Sequence, residues 1–110
     1  MIDKTRALRD FGISEDVLDE MLKEFIVQAD GFAGDIEKSA LNNDFEAASS
    51  VAHSLKGVSG NLRLDTCYKT AVSLEASVKA HDGPACKSSL AELRKNIEDI
   101  RISIVSLRGI

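Results

Sequence analysis

A chain of 110 residues with a formal net charge of −4 is long enough for one domain with its own core, and it carries the wrong sign for a protein that lives on phosphate backbones or anionic lipid. Hydrophobic residues at 44% and charged residues at 29% exclude a disordered or low-complexity chain, and 5% aromatics with a single Pro leave little that favours strands or breaks helices. No run approaches the roughly 20 apolar residues of a membrane-spanning helix, and the opening MIDKTRALRD lacks the apolar centre of a signal peptide, so the chain reads as soluble and cytoplasmic, without a nucleic-acid or membrane partner.

Taken in chain order, Ile2, Leu8 and Phe11 predict a short N-terminal helix that caps one end of the molecule. Leu18, Leu22, Phe25, Ala29, Phe32, Ile36 and Ala40 then recur at steps of three and four, with Met21 widening the stripe, which predicts a helix over about 15 to 41. Ser14 is its N-cap, and Glu15 and Asp16 complement the dipole in the first turn. Gly31 and Gly34 cost about 1 kcal/mol each inside such a helix, which could bend or break it there; one bent helix is expected.

After Asn42-Asn43-Asp44, with Asp44 as cap, a second stripe follows in Phe45, Ala48, Ala52, Leu55, Ser59 and Leu62. Leu64, Cys67, Ala71, Leu74 and Val78 begin a third almost at once, so the link around Asn61 to Asp65 is tight and the two helices are antiparallel neighbours. His81-Asp82-Gly83-Pro84 makes a turn with Pro at a helix start, and Cys86, Leu90, Leu93, Ile97, Ile100, Ile104 and Leu107 form the fourth stripe. The fold expected is all-α: one domain over residues 1–110, an antiparallel four-helix bundle with a short N-terminal capping helix. A core that closes on itself favours a monomer.

Cys67 and Cys86 sit at apolar helical positions without CxxC spacing and are read as packed free thiols. A metal centre from His53, His81, Cys67 and Cys86 would draw on scattered positions, two of them on core stripes, so no metal and no cofactor is expected. Buried thiols likewise make poor thiolates, which argues against a Cys-His nucleophile. Without a strand there is no phosphate-binding glycine loop to support a nucleotide enzyme.

The chemistry concentrates on the second stripe's helix. His53 falls at the edge of the buried face beside Ala52, with Ser49 and Ser50 one turn before it, Lys56 and Gly57 one turn after, and Gly60 a turn beyond. The row is small, polar and basic. Two surface glycines in one row destabilise the helix, and bare backbone beside an exposed imidazole lets another molecule approach it. Read singly, each feature is ordinary: exposed histidines are common, glycines end helices, and a last-turn Lys is a solvated cation. His81 is the contrast, a solvated turn histidine without a Lys three residues on or a glycine row.

The run Ala52-His53-Ser54-Leu55-Lys56-Gly57-Val58-Ser59-Gly60-Asn61-Leu62, with Leu74-Glu75 on the next helix, resembles the signature of histidine phosphotransfer (HPt) domains. The resemblance covers essentially the whole chain. It departs at Arg63-Leu64, where many members have Gly-Ala. It implies that Nε2 of His53 takes a phosphoryl group from a receiver aspartyl phosphate and returns it to another receiver. A neutral imidazole suits that task, since its unperturbed pKa is near 6.5. Lys56 would offset the charge of the transferring group, and Gly57 and Gly60 would leave room for it. Ser49 and Ser50 would donate hydrogen bonds or serve only solvation. Glu75 stands where some members carry a polar residue bonded to the other ring nitrogen, although a partly exposed Glu beside an apolar stripe is equally an ordinary charge. Arg63 would contact the phosphate or a receiver, or simply stand near a helix C-terminus.

On this reading the chain is a phosphocarrier without kinase activity of its own. Its partners are response-regulator receiver domains, with a hybrid sensor histidine kinase among the candidates. The phosphoacceptor domain of a chemotaxis-type histidine kinase, charged from ATP through a kinase domain, is an alternative with a similar His-x-x-Lys-Gly run. A helical scaffold that binds a partner without phosphorylation is another.

Overall fold

A computed structural model describes the backbone of residues 4–108 and the side chains of Arg6 and of residues 8–104. Five helices follow in order: α1 (Lys4–Phe11), α2 (Glu15–Leu41), α3 (Phe45–Asn61), α4 (Asp65–Lys79) and α5 (Gly83–Arg108). The described residues contain no strand, and none of their helices is long and apolar enough to cross a membrane. Ile2, assigned to the N-terminal capping helix, and the Leu107 side chain, assigned to the last apolar stripe, lie outside the described residues.

Helix starts are set by short oxygen-bearing side chains that accept from otherwise unbonded backbone N–H groups. Ser14 Oγ accepts from Val17 N at 3.3 Å, Asp44 Oδ1 from Ala47 N at 3.1 Å, and Asp82 Oδ1 from Ala85 N at 3.0 Å. α4 has Leu64 at its N-cap position and no side-chain cap, since an apolar side chain offers no acceptor.

The three connections after α2, α3 and α4 share one device. Asn43, Arg63 and His81 adopt positive φ, at 59°, 59° and 54°. Each donates its N–H to the carbonyl three residues back, and the residue after it donates to the carbonyl five back: Asp44 N to Ser39 O, Leu64 N to Ser59 O, Asp82 N to Ser77 O. These are Schellman turns, which satisfy the last carbonyls of a helix within three residues. A left-handed residue there is usually Gly, and this chain uses Asn, Arg and His instead.

α2 packs on α3 and on α5, α4 packs on the same two helices, and α1 rests on α2, so the four longer helices enclose a single core. Leu18, Leu22, Phe25 and Ile36 enter it from α2, Ala48, Ala52 and Leu55 from α3, Leu74 and Val78 from α4, and Leu93 and Ile97 from α5. Leu8, Phe11, Phe32, Phe45 and Leu62 pack on its margin, only partly buried. No break occurs at Gly31 or Gly34, where α2 continues uninterrupted to Leu41. Burial of Ala29, Ala33 and Ile36 on either side of them outweighs a cost of about 1 kcal/mol per glycine.

Polar groups inside the core are mostly paired. Asn96 Nδ2 donates to Thr70 Oγ1 at 2.7 Å, and that hydroxyl donates to Thr66 O at 3.1 Å, tying α5 to α4. Cys67 and Cys86 are buried and free; burial pushes the Cys67 thiol up to about 11 and raises that of Cys86 as well.

Candidate functional site

α3 buries Ala48, Ala52, Leu55 and Ser59, which turns His53 outward with 71% of its side chain exposed. The opposing groups come from α4. Buried Cys67, Ala71, Leu74 and Val78 set the rotation of α4, and Glu75, next to Leu74, is brought to the seam with α3. Sequence reasoning expected a partly exposed Glu there. Instead Glu75 is nearly buried, with 11% of its side chain exposed, because the seam encloses it on the α3 side.

Three basic groups converge on this carboxylate. His53 Nδ1 lies 3.1 Å from Oε2, Lys56 Nζ donates to Oε1 at 3.0 Å, and Lys79 Nζ stands 3.8 Å from Oε2. The Lys56 hydrogen bond holds the Glu75 carboxyl below its usual range, helped by the bond from His53 and the charges of Lys56 and Lys79, with burial opposing. An ionised carboxylate can only accept, so the proton between it and the imidazole sits on Nδ1. Neutral His53 is thereby held as the Nδ1–H tautomer. Its Nε2 keeps a free lone pair, with no hydrogen bond from any described residue. The arrangement supplies an oriented, solvent-facing nitrogen nucleophile with a negative charge behind it and ammonium groups beside it.

The remaining residues of the row fall as follows. Gly57 is exposed, and a Cβ there would meet nothing within 4 Å. Gly60 is half-buried, and a Cβ there would stand 3.3 Å from Tyr68 Cδ2, so its bare backbone accommodates a ring of this same chain. Ser50 is exposed and Ser49 half-buried; both line a shallow depression with Phe45, Glu46, Val78, Lys79 and His81. Arg63 turns away from His53. Its Nη1 donates to Gly60 O at 3.2 Å, its Nε lies 3.6 Å from Asp10 Oδ2, and its guanidinium covers the Phe11 ring at 5.7 Å. These contacts tie α1 to the α3–α4 turn.

His81 is exposed, as a turn histidine should be, but it is not merely solvated: its ring stacks on Phe45 at 4.2 Å, 14° from parallel, while its positive φ ends α4. Two residues near the site escaped the reading of the sequence. Lys79 was detectable as the i+4 neighbour of Glu75, a spacing that pairs charges on a helix. Tyr68 left no local signal, because its partner Gly60 belongs to another helix. Among the described residues, no three His, Cys, Asp or Glu side chains gather to hold a metal ion.

Comparison with known proteins agrees with this geometry at the level of family. Neither the curated proteins nor the solved structures contain a match. The family model of the Hpt domain, however, matches residues 20–102, a span that holds α3 and α4 entire, together with the imidazole and carboxylate that face each other between them. The chain therefore belongs to the Hpt domain family, helical bundles of histidine phosphotransfer in two-component signalling.

Proposed function

We propose that the chain is a phosphorelay intermediate, one domain over residues 1–110 folded as an antiparallel four-helix bundle, with His53 as phosphoacceptor. The observation that carries this reading is the pairing of His53 Nδ1 with Glu75 while Nε2 stands free and exposed. In the forward step the Nε2 lone pair attacks the phosphorus of a receiver aspartyl phosphate. The N–P bond forms as the acyl O–P bond breaks, and the electron pair leaves on the receiver's carboxylate. The phosphorylated ring keeps its Nδ1 proton and gains positive charge, which the Glu75 carboxylate offsets, in the manner of the carboxylate behind a catalytic histidine. Return of the group to a second receiver aspartate reverses these changes.

Lys56 holds Glu75 in the resting state, and its ammonium lies on the same side of α3 as His53, within reach of a phosphoryl group on Nε2. Gly57 leaves the approach open. The domain is a carrier, charged and discharged by its partners.

The test is phosphoryl transfer from a panel of receiver domains charged by a small phosphodonor. An acid-labile, alkali-stable label on the wild type, lost in His53→Gln and retained in His81→Gln, is the expected result. Labelling only by a kinase domain with ATP would assign the chain to the chemotaxis-type kinases instead. A partner complex that forms equally well with His53→Gln, with no label from any source, would make it a scaffold.

A further inference from the structure

Tyr68 and Val72 stand one turn apart on α4, and Glu75 and Lys79 continue the same side at steps of three and four. This stripe borders α3 along its length. Glu75 meets His53 and Lys56, and the Tyr68 ring lies over Gly60, where a Cβ would stand 3.3 Å from it. Both apolar side chains are open to solvent, Tyr68 at 41% and Val72 at 42%. A ring seated on bare helix backbone is restrained before any partner arrives, so little side-chain entropy is lost when its outer face is covered. The other end of the His53 row presents less, because one face of Phe45 is already covered by His81.

Reach then decides what a partner must touch. Tyr68 precedes Glu75 by seven residues, about 10 Å along the helix. A contact of about 800 Å² per partner, spread as a disc around His53, extends about 16 Å, which spans that distance and the step across from α3 to α4. A receiver that brings its aspartyl phosphate to Nε2 therefore covers Tyr68 and Val72. Lys56 and Lys79, both paired with Glu75, add cations at the His53 end of this stripe, which suits a partner whose contact face carries an acyl phosphate.

Resting on the reading of His53 as phosphoacceptor, we propose that Tyr68 and Val72 are the apolar part of the receiver-docking surface and determine which receivers bind productively. They act on binding and take no part in the transfer itself.

The experiment is rapid-quench transfer from a phosphorylated receiver that labels the wild type, with receiver concentration varied. Tyr68→Ala and Val72→Ala should each raise the half-saturating receiver concentration several-fold and the double variant by about tenfold or more, with the limiting transfer rate held within about twofold. Tyr68→Phe, which keeps the ring, should behave as wild type, and circular dichroism melts verify that each variant is folded. Ile102→Ala removes a more exposed apolar side chain from α5 and should change nothing. Unchanged half-saturation in the double variant, or an equal rise in Ile102→Ala, overturns the proposal while leaving His53 as acceptor. Failure of the wild type to take label from any receiver overturns both.

Discussion

His53 Nδ1 lies 3.1 Å from Glu75 Oε2, so an exposed imidazole on α3 is joined to a nearly buried carboxylate on α4. If this bond selects the tautomer, Glu75→Ala should release it. Nitrogen-15 spectra of the wild type at alkaline pH should show neutral His53 as the Nδ1–H form, and Glu75→Ala should shift the ring towards a mixture. The transfer rate should fall about tenfold, the equivalent of one hydrogen bond to a charged group. Glu75→Gln retains a carbonyl acceptor for Nδ1–H and should recover the tautomer, though not the charge. An unaltered tautomer in Glu75→Ala would remove Glu75 from any positioning role.

The lowered pKa of Glu75 makes a prediction about stability with a definite sign. Because the folded-state value lies below the unfolded one, near 4.5, the contribution is fully present above that value and is lost as pH falls through the folded value. Urea midpoints of the wild type and of Glu75→Gln should therefore differ most near pH 7 and converge as pH falls below about 4. A difference that persists unchanged at pH 3 would show that the ion pairs with Lys56 and Lys79 do not supply it.

Gly57 and Gly60 should respond differently to alanine. At Gly57 the new methyl meets nothing, so Gly57→Ala should stabilise the protein by up to about 1 kcal/mol through helix propensity. At Gly60 the methyl presses on Tyr68, and the gain should be smaller or reversed. Melting curves read both effects. If bare backbone beside His53 serves the partner's approach, Gly57→Ala should also slow transfer from a charged receiver even as it raises stability.

Arg63 holds a left-handed conformation at the α3–α4 turn. Comparing Arg63→Gly with Arg63→Ala removes the same side-chain contacts and changes only the backbone term. The glycine variant should be the more stable by about 1 kcal/mol in urea denaturation. Equal stabilities would mean that the turn carries no left-handed strain.

Thr70 should be sensitive to loss of its hydroxyl. Thr70→Val keeps the shape but leaves Asn96 Nδ2 buried without an acceptor, at a cost of about 1–3 kcal/mol. The double variant Thr70→Val, Asn96→Leu should regain part of the loss, because no donor then remains unpaired.

Helical periodicity was enough to place the elements: the stripes through Leu18 to Ile36 and Cys86 to Ile104 are core in the structure, with only Phe32 at its margin, and Ser14 and Asp44 cap the helices they precede. Both signals are local, carried by residues within a few positions of one another. The eleven residues from Ala52 to Leu62 were likewise sufficient to indicate the family, since the pattern lies on one helix. Other features depend on residues that meet only across helices. Glu75 lies 22 positions from His53, and its burial follows from the rotation of α4 against α3, which the whole core sets. The same holds for Tyr68 over Gly60, for Arg63 turned onto Asp10 and Phe11, and for His81 stacked on Phe45. A residue's own neighbours in the chain decide whether it is helical and which way it faces, whereas its contacts across a seam depend on how two helices are rotated and displaced, and that is settled by the packing of all their buried side chains together.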